Sequence, residues 1–114
     1  MSNIKVNKKD NYNIIELDGK FIGGEETDAL RDKLIELKDK SLILDLVKVS
    51  YLNSTALGVL LSAQAEYVIN NNEILIVNSN ETVENLLNLT QLSLVFTVLD
   101  SIENAEKKLI NNYN

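Results

Sequence analysis

The sequence predicts an α/β fold: a single domain over residues 1–114, with one mixed sheet of about five strands and about four helices. Two observations predict it. Short apolar runs rich in β-branched residues alternate with segments whose apolar residues recur every three or four positions. The chain also contains no Pro, and no linker-like stretch or internal repeat separates the segments. Strands alternating with helices are the pattern of parallel neighbours joined by right-handed crossovers, with helices packed on the sheet. A chain of 114 residues buries roughly 65% of its unfolded surface and folds without staples.

The elements follow in order. Ile4 and Val6 alternate with polar neighbours, and Tyr12 to Asp18 forms an apolar β-branched run bounded by Asn11 and Gly19, so two adjacent antiparallel strands are expected. From Glu25 the period changes. Ala29, Leu30, Lys33, Leu34 and Leu37 lie three and four apart, and Glu25, Glu26 and Asp28 fill the first turn, as the positive end of a helix favours. Ser41 to Leu46 is almost continuously apolar, the form of a central strand covered on both faces. After a short loop, a second helix opens at Asn53, with Leu57, Leu60, Leu61, Gln64 and Val68 on one stripe, the three leucines as core, and Asn70–Asn72 as its stop. Glu73 to Asn78 reads as another buried strand, Thr82 to Leu89 as a helix and Leu94 to Leu99 as a short strand. A last helix begins at Ser101, with Ala105, Leu109 and Ile110 facing inward.

Composition removes most chemistries. There is no Cys and no His, hence no disulfide, no thiolate or imidazole metal ligand and no imidazole proton shuttle. No cluster of carboxylates suits a hard cation, so neither a metal nor another cofactor is expected, and an enzyme is not the expected class. The net charge of −6 repels phosphate backbones and anionic lipid, which argues against nucleic acid and membrane surfaces as partners. No secretion signal or membrane-spanning run is found, so a cytoplasmic address is expected. The abundant asparagines are read as compositional bias and given no functional weight.

The informative stretch runs from Val49 to Leu60, where a strand hands over to a helix. Asn53 and Ser54 are both residue types that cap helices, and the first N–H groups of a helix have no internal partners, so a hydroxyl here lies beside free donors at the positive end of a dipole. A phosphate is well received at such a place. On spacing alone, Ser54 reads as a simple cap contributing about 1 kcal/mol. Gly58 lies inside the helix at a cost of about 1 kcal/mol relative to Ala, which helix-on-sheet packing or a partner passing close to the backbone would each explain. Gly23-Gly24 reads as a flexible turn and lacks the spacing of a phosphate-binding loop. Asp18 and Asp45 read as solvated strand ends.

Asn53-Ser54-Thr55-Ala56-Leu57-Gly58 resembles the Asp-Ser-Ser/Thr-Gly-Leu-Gly signature of anti-sigma factor antagonists of the STAS domain family. The resemblance extends to Leu17-Asp18-Gly19, Leu30-Arg31-Asp32-Lys33-Leu34, Leu44-Asp45-Leu46 and Val49-Ser50-Tyr51-Leu52. It implies that Ser54 is the phosphate acceptor and Thr55 its neighbour. It further implies an anti-sigma factor serine kinase as binding partner, a serine phosphatase that resets the switch, and no chemistry by the chain itself. The partner-binding surface it implies comprises Asn53, Ser54, Thr55, Ala56 and Gly58, with Gly23 and Gly24. Asn53 stands where the family usually has Asp, Ala56 replaces the first motif Gly, and Gly19 to Gly24 replaces a Gly-Glu-hydrophobic-Asp loop. These departures leave open a constitutive module of the same fold, such as the small subunit of a lipid-transport ABC complex, that needs no phosphate.

Overall fold

The computed structural model describes residues 2–112. Five strands form one sheet in the order β1 (Ser2–Lys8), β2 (Tyr12–Phe21), β3 (Ser41–Leu52), β4 (Ile74–Val77) and β5 (Thr97–Leu99). The helices are α1 (Gly24–Glu36), α2 (Ser54–Ile69), α3 (Glu81–Leu89) and α4 (Ile102–Asn112), with a 3₁₀ turn at Leu92–Leu94. β1 runs antiparallel to β2, and the three remaining pairs are parallel. The expected mixed sheet of about five strands with about four helices is therefore the observed one.

Two apolar layers sandwich the sheet. Ile15, Leu17, Leu42, Leu44 and Leu46 face one way and meet Leu30 and Leu34 of α1, Leu57 and Leu60 of α2, and Val83 and Leu87 of α3. Ile14, Ile43, Leu75 and Val77 face the other way and meet Ala105 and Leu109 of α4. Strands covered on both faces need apolar residues at every position, which is why β3 and β4 read as unbroken runs.

Several boundaries differ from expectation. β2 does not end at Gly19 but continues to Phe21. Gly19 adopts φ 102, a left-handed conformation costly for other residues, beside a register irregularity. β3 likewise runs to Leu52 with no intervening loop. Its pairing steps from Glu16↔Asp45 to Asp18↔Lys48, and from Gly19↔Val49 to Lys20↔Tyr51, so β3 carries an extra residue at each of two bulges. Each bulge resets the alternation, so Leu46, Val49 and Leu52, spaced three apart, all turn into the core. Asp45 is therefore inside the strand, not at a solvated end. It is buried and accepts from the Val47 N–H at 3.0 Å and from Asn78 Nδ2 at 3.2 Å. The expected strand at Leu94 to Leu99 shrinks to Thr97–Leu99, because the 3₁₀ turn takes Leu94 and Val95 lies in the right-handed helical region.

Three inward assignments are corrected. Leu61 is exposed, as are Val68 and Ile110. α2 buries Ala56, Leu57, Val59, Leu60, Ala63, Gln64 and Tyr67 instead, which turns Leu61 and Val68 outward at the margin of the buried face.

Candidate functional site

Because β2, β3 and β4 are parallel, the helices that follow them all begin at one end of the sheet. Phe21 pairs with Leu52 at the ends of β2 and β3, which sets the starts of α1 and α2 side by side. Asn53 joins them. It is the N-cap of α2, its side-chain oxygen accepting from the Ala56 N–H at 2.8 Å. Its Nδ2 donates to the Ile22 carbonyl at 3.1 Å, and its own N–H donates to the Phe21 carbonyl at 3.2 Å. The α1 entrance is fixed in turn: Glu26 Oε2 accepts from the Gly23 N–H at 3.0 Å, and Thr27 Oγ1 donates to the Gly23 carbonyl at 2.8 Å. Gly23-Gly24 is thus not a flexible turn but the N-cap and first residue of α1.

Asn80 repeats the arrangement at α3. Its oxygen accepts from the Val83 N–H at 2.9 Å while its Nδ2 donates to the carbonyl of Val49, beside a bulge of β3. Asparagine suits these junctions because one short side chain carries both an acceptor for the helix N–H and donors for a strand carbonyl. Asn72, just past the end of α2, donates to the Lys38 carbonyl at 3.0 Å. The asparagines at these junctions therefore serve as caps and ties between elements.

Ser54 is the first residue of α2 and is exposed. Its hydroxyl makes no hydrogen bond among the described residues, because capping has passed to Asn53. The N–H groups of Ser54 and Thr55 lie too early in the helix for an intrahelical acceptor. α1 has Glu25 and Glu26 in its first turn and α3 has Glu81 and Glu84, whereas α2 has no acid there. The hydroxyl thus sits at the one of these three helix starts whose positive end has no neighbouring negative charge on its own first turn.

Of the other expected partner-binding residues, Thr55, Gly58 and Gly24 are exposed, and Asn53 and Gly23 are half-buried. Ala56 is different: it is fully buried among the core residues, so its methyl group serves packing and lies off the surface. A Cβ built on Gly58 meets nothing within 4 Å, which removes helix-on-sheet packing as the reason for a glycine. Beside Ser54 and Gly58 lies an open groove of about 210 Å³, closed by Leu57, Leu61, Thr90 and Leu92. Sequence reasoning missed the Thr90 and Leu92 wall, since nothing local ties the end of α3 to the start of α2. Leu61 carried a signal: α2 is apolar around most of its circumference, more than one buried face requires. Among the described residues, no three acidic side chains gather as a cation cage, and no helix is long and apolar enough to cross a membrane.

Three helices entering from one end of a bulged mixed sheet, with a free serine hydroxyl at the second, define an α/β domain whose distinguishing surface is a strand-to-helix junction. The STAS domain family model matches residues 3–105, and the chain belongs to that family. Solved structures with this fold include an anti-sigma factor antagonist from Mycobacterium paratuberculosis, 18% identical, with a TM-score of 0.84 and coverage of 96% of this chain and 94% of that one. A Thermotoga maritima protein is 22% identical, with a TM-score of 0.82 and 93% of each chain covered. The Bacillus cell fate determinant SpoIIAA, in its phosphorylated form, is 14% identical, with a TM-score of 0.74 and coverage of 94% of this chain and 99% of that one.

Proposed function

We propose that the chain is an anti-sigma factor antagonist acting by partner switching: unphosphorylated, it binds an anti-sigma factor serine kinase; phosphorylated on Ser54, it is released until a serine phosphatase resets it. The observation that carries this reading is the exposed, unbonded Ser54 hydroxyl at the mouth of α2. Phosphate there adds about 1.5 to 2 negative charges and three acceptor oxygens. The bare N–H groups of the first turn tolerate it within the chain, so the fold survives while a surface fitted to a neutral serine does not. Gly58 supports the same face, because its missing side chain has no use inside the fold and leaves helix backbone open to a close neighbour. The chain contributes no catalytic group of its own. Its place of action is the cytoplasm, with the kinase.

The test is incubation of the purified chain with its cognate kinase and ATP. One phosphate is gained by mass, none by Ser54→Ala, and Ser54→Asp loses kinase binding while keeping the fold. An unmodified wild type that still binds the kinase tightly refutes the switch.

A second reading, a phosphate-independent interaction subunit of a lipid-transport ABC complex, is favoured by Asn53. Its amide is committed to Ile22 and offers no carboxylate to assist transfer to Ser54. Recovery of a transporter ATPase with function retained in Ser54→Ala selects it.

A further inference from the structure

The sheet ends on β1. In the strand order β1-β2-β3-β4-β5, only one side of β1 has a strand beside it. Its other side presents a row of backbone N–H and C=O groups with no ladder partner among the described residues. β1 is seven residues long, whereas β5, at the opposite edge, has three. Its register with β2 is unbroken from Ser2↔Gly19 to Lys8↔Asn13, so no bulge bends this edge out of regular pairing. A long, regular edge is a template for one more strand. Room for it lies between β1 and α1, in an opening of about 330 Å³ lined by Asn3, Ile4, Phe21, Glu26, Ala29 and Lys33. The two charged groups there are already engaged: Glu26 accepts from the Gly23 N–H, and Lys33 pairs with Glu36 at 3.1 Å. Ile4 and Val6, on the same face of β1, are half-buried and pack against the core from its margin. On this face a further strand meets apolar side chains.

The other face of β1 carries a charge. Asn3, Lys5 and Asn7 alternate with Ile4 and Val6 and are exposed, and Lys5 is the one charged side chain of the three. It lies across from Glu16 of β2. That carboxylate, however, is bonded to Lys48 Nζ of β3 at 2.9 Å, the first cause of its lowered pKa, with Lys5 the last. Across the sheet the row therefore reads positive at Lys48, negative at Glu16 and positive at Lys5. Its next place lies outside β1. Glu16 is two strand spacings from that place, about 10 Å, so Lys5 is the charge that a new neighbour meets.

We propose that β1 accepts an extended segment of a partner protein as a further strand, with an acidic residue of that segment opposite Lys5 and apolar residues on either side of it turned toward Ile4, Val6 and Ala29. The backbone ladder supplies affinity, and the alternating side chains select the sequence. The acid extends the alternation of charge that Lys48, Glu16 and Lys5 begin, since opposite charges directly across a strand pair attract and like charges repel. The same lysine turns away a second copy of this chain: β1 paired antiparallel with another β1 about its midpoint sets Lys5 against Lys5. β5 of a second copy offers three residues, Thr97–Leu99, and no acid among them. Lysine on an edge strand thus blocks self-pairing while admitting an acidic segment.

Nothing in this assignment involves Ser54, so its test is independent of the phosphoswitch. The ¹⁵N-labelled chain is titrated with a capped peptide as long as β1, alternating valine with threonine and carrying glutamate at its centre in place of a threonine. A second peptide has lysine at that place. The glutamate peptide is expected to shift the amides of Asn3 to Lys8 and of Ala29, and to slow hydrogen exchange at the β1 amides that exchange fast in the free chain. The lysine peptide is expected to bind about fivefold more weakly. Lys5→Gln, at an exposed position, should bind the two peptides alike, and Lys5→Glu should reverse the preference, each with the fold intact by circular dichroism. Four results overturn the inference: no shift along β1, shifts without slowed exchange, a preference between the peptides that survives Lys5→Gln, or a concentration-dependent dimer of the free chain that protects the β1 amides.

Discussion

Gly58→Ala separates what the fold needs from what a partner needs. A glycine inside a helix costs about 1 kcal/mol relative to alanine, through backbone entropy lost on folding. Here the added methyl meets no atom within 4 Å, so no clash offsets the gain. The isolated chain should become more stable by about 1 kcal/mol, which for a domain of this size raises Tm by about 4 °C. Urea denaturation should show a higher midpoint at unchanged slope. The same methyl then projects from α2 toward whatever lies against Ser54. Overpacking a fitted surface by one methyl group costs about 1–3 kcal/mol, so affinity for the kinase should fall roughly tenfold or more. A substitution that destabilises the free chain shows that something within the fold occupies the space. One that stabilises it and leaves kinase affinity unchanged shows that no partner approaches the backbone there. Either result refutes the argument from Gly58.

Asn53→Ala removes both the α2 cap and the tie to Ile22 and should cost about 2 kcal/mol, whereas Asn53→Asp keeps a capping oxygen, loses only the donor and should cost under about 1 kcal/mol; equal midpoints in urea refute the division of labour. Gln64 is buried and its oxygen accepts from the Ile74 N–H at 2.9 Å, so Gln64→Leu strands a buried donor and should lower stability by about 1–3 kcal/mol, read by the same denaturation. Tyr12 is pushed from its ordinary 10.0 up to about 12, first by burial and then by its hydrogen bond to Glu106. The folded chain therefore favours the protonated phenol, and that contribution is complete below about pH 10 and lost as pH rises toward about 12. The stability difference between wild type and Tyr12→Phe should be flat below that window and shift within it, and a flat difference throughout means the phenol is not perturbed.

Legibility in the sequence followed the length of the pattern. α2 supplies four turns of periodic apolar residues, and its start was legible because Asn53 and Ser54 belong to the few residue types that cap helices. β4 is apolar at all four positions, Ile74 to Val77, and needed no period to be recognised. The second half of β3 was hidden because each bulge converts a spacing of two into three: Leu46, Val49 and Leu52 mimic neither a strand nor a helix, although all three are in the core. β5 was blurred for another reason. Leu94, Val95 and Phe96 have strand-like side chains, but the turn after Gln91, itself at φ 62, takes Leu94 into a 3₁₀ turn and Val95 into the right-handed helical region, so the sheet is rejoined only at Thr97. At the site, Ser54, Thr55 and Gly58 were legible from the motif. The Thr90 and Leu92 wall was not, since its approach to α2 is set by a contact from Gln64 to Val95, 31 residues away in the chain.

The replacement of an acid by Asn53 bears on how the switch would work. A carboxylate at this position could cap α2 but could not donate to the Ile22 carbonyl, so the neighbouring loop would be held by fewer bonds. Asn53 does both, and in doing so it leaves the first turn of α2 without any negative charge. Charge arriving on Ser54 then meets an uncompensated helix end, worth about 0.3–1 kcal/mol in favour of the phosphorylated fold. No lysine or arginine between Lys48 and Lys107 is available to neutralise it from the same segment. A phosphate on Ser54 would thus be tolerated by the helix yet remain a strong negative charge at the surface. That combination would keep the domain folded in both states and confine the change to the partner contact, where a phosphate switch would have its effect.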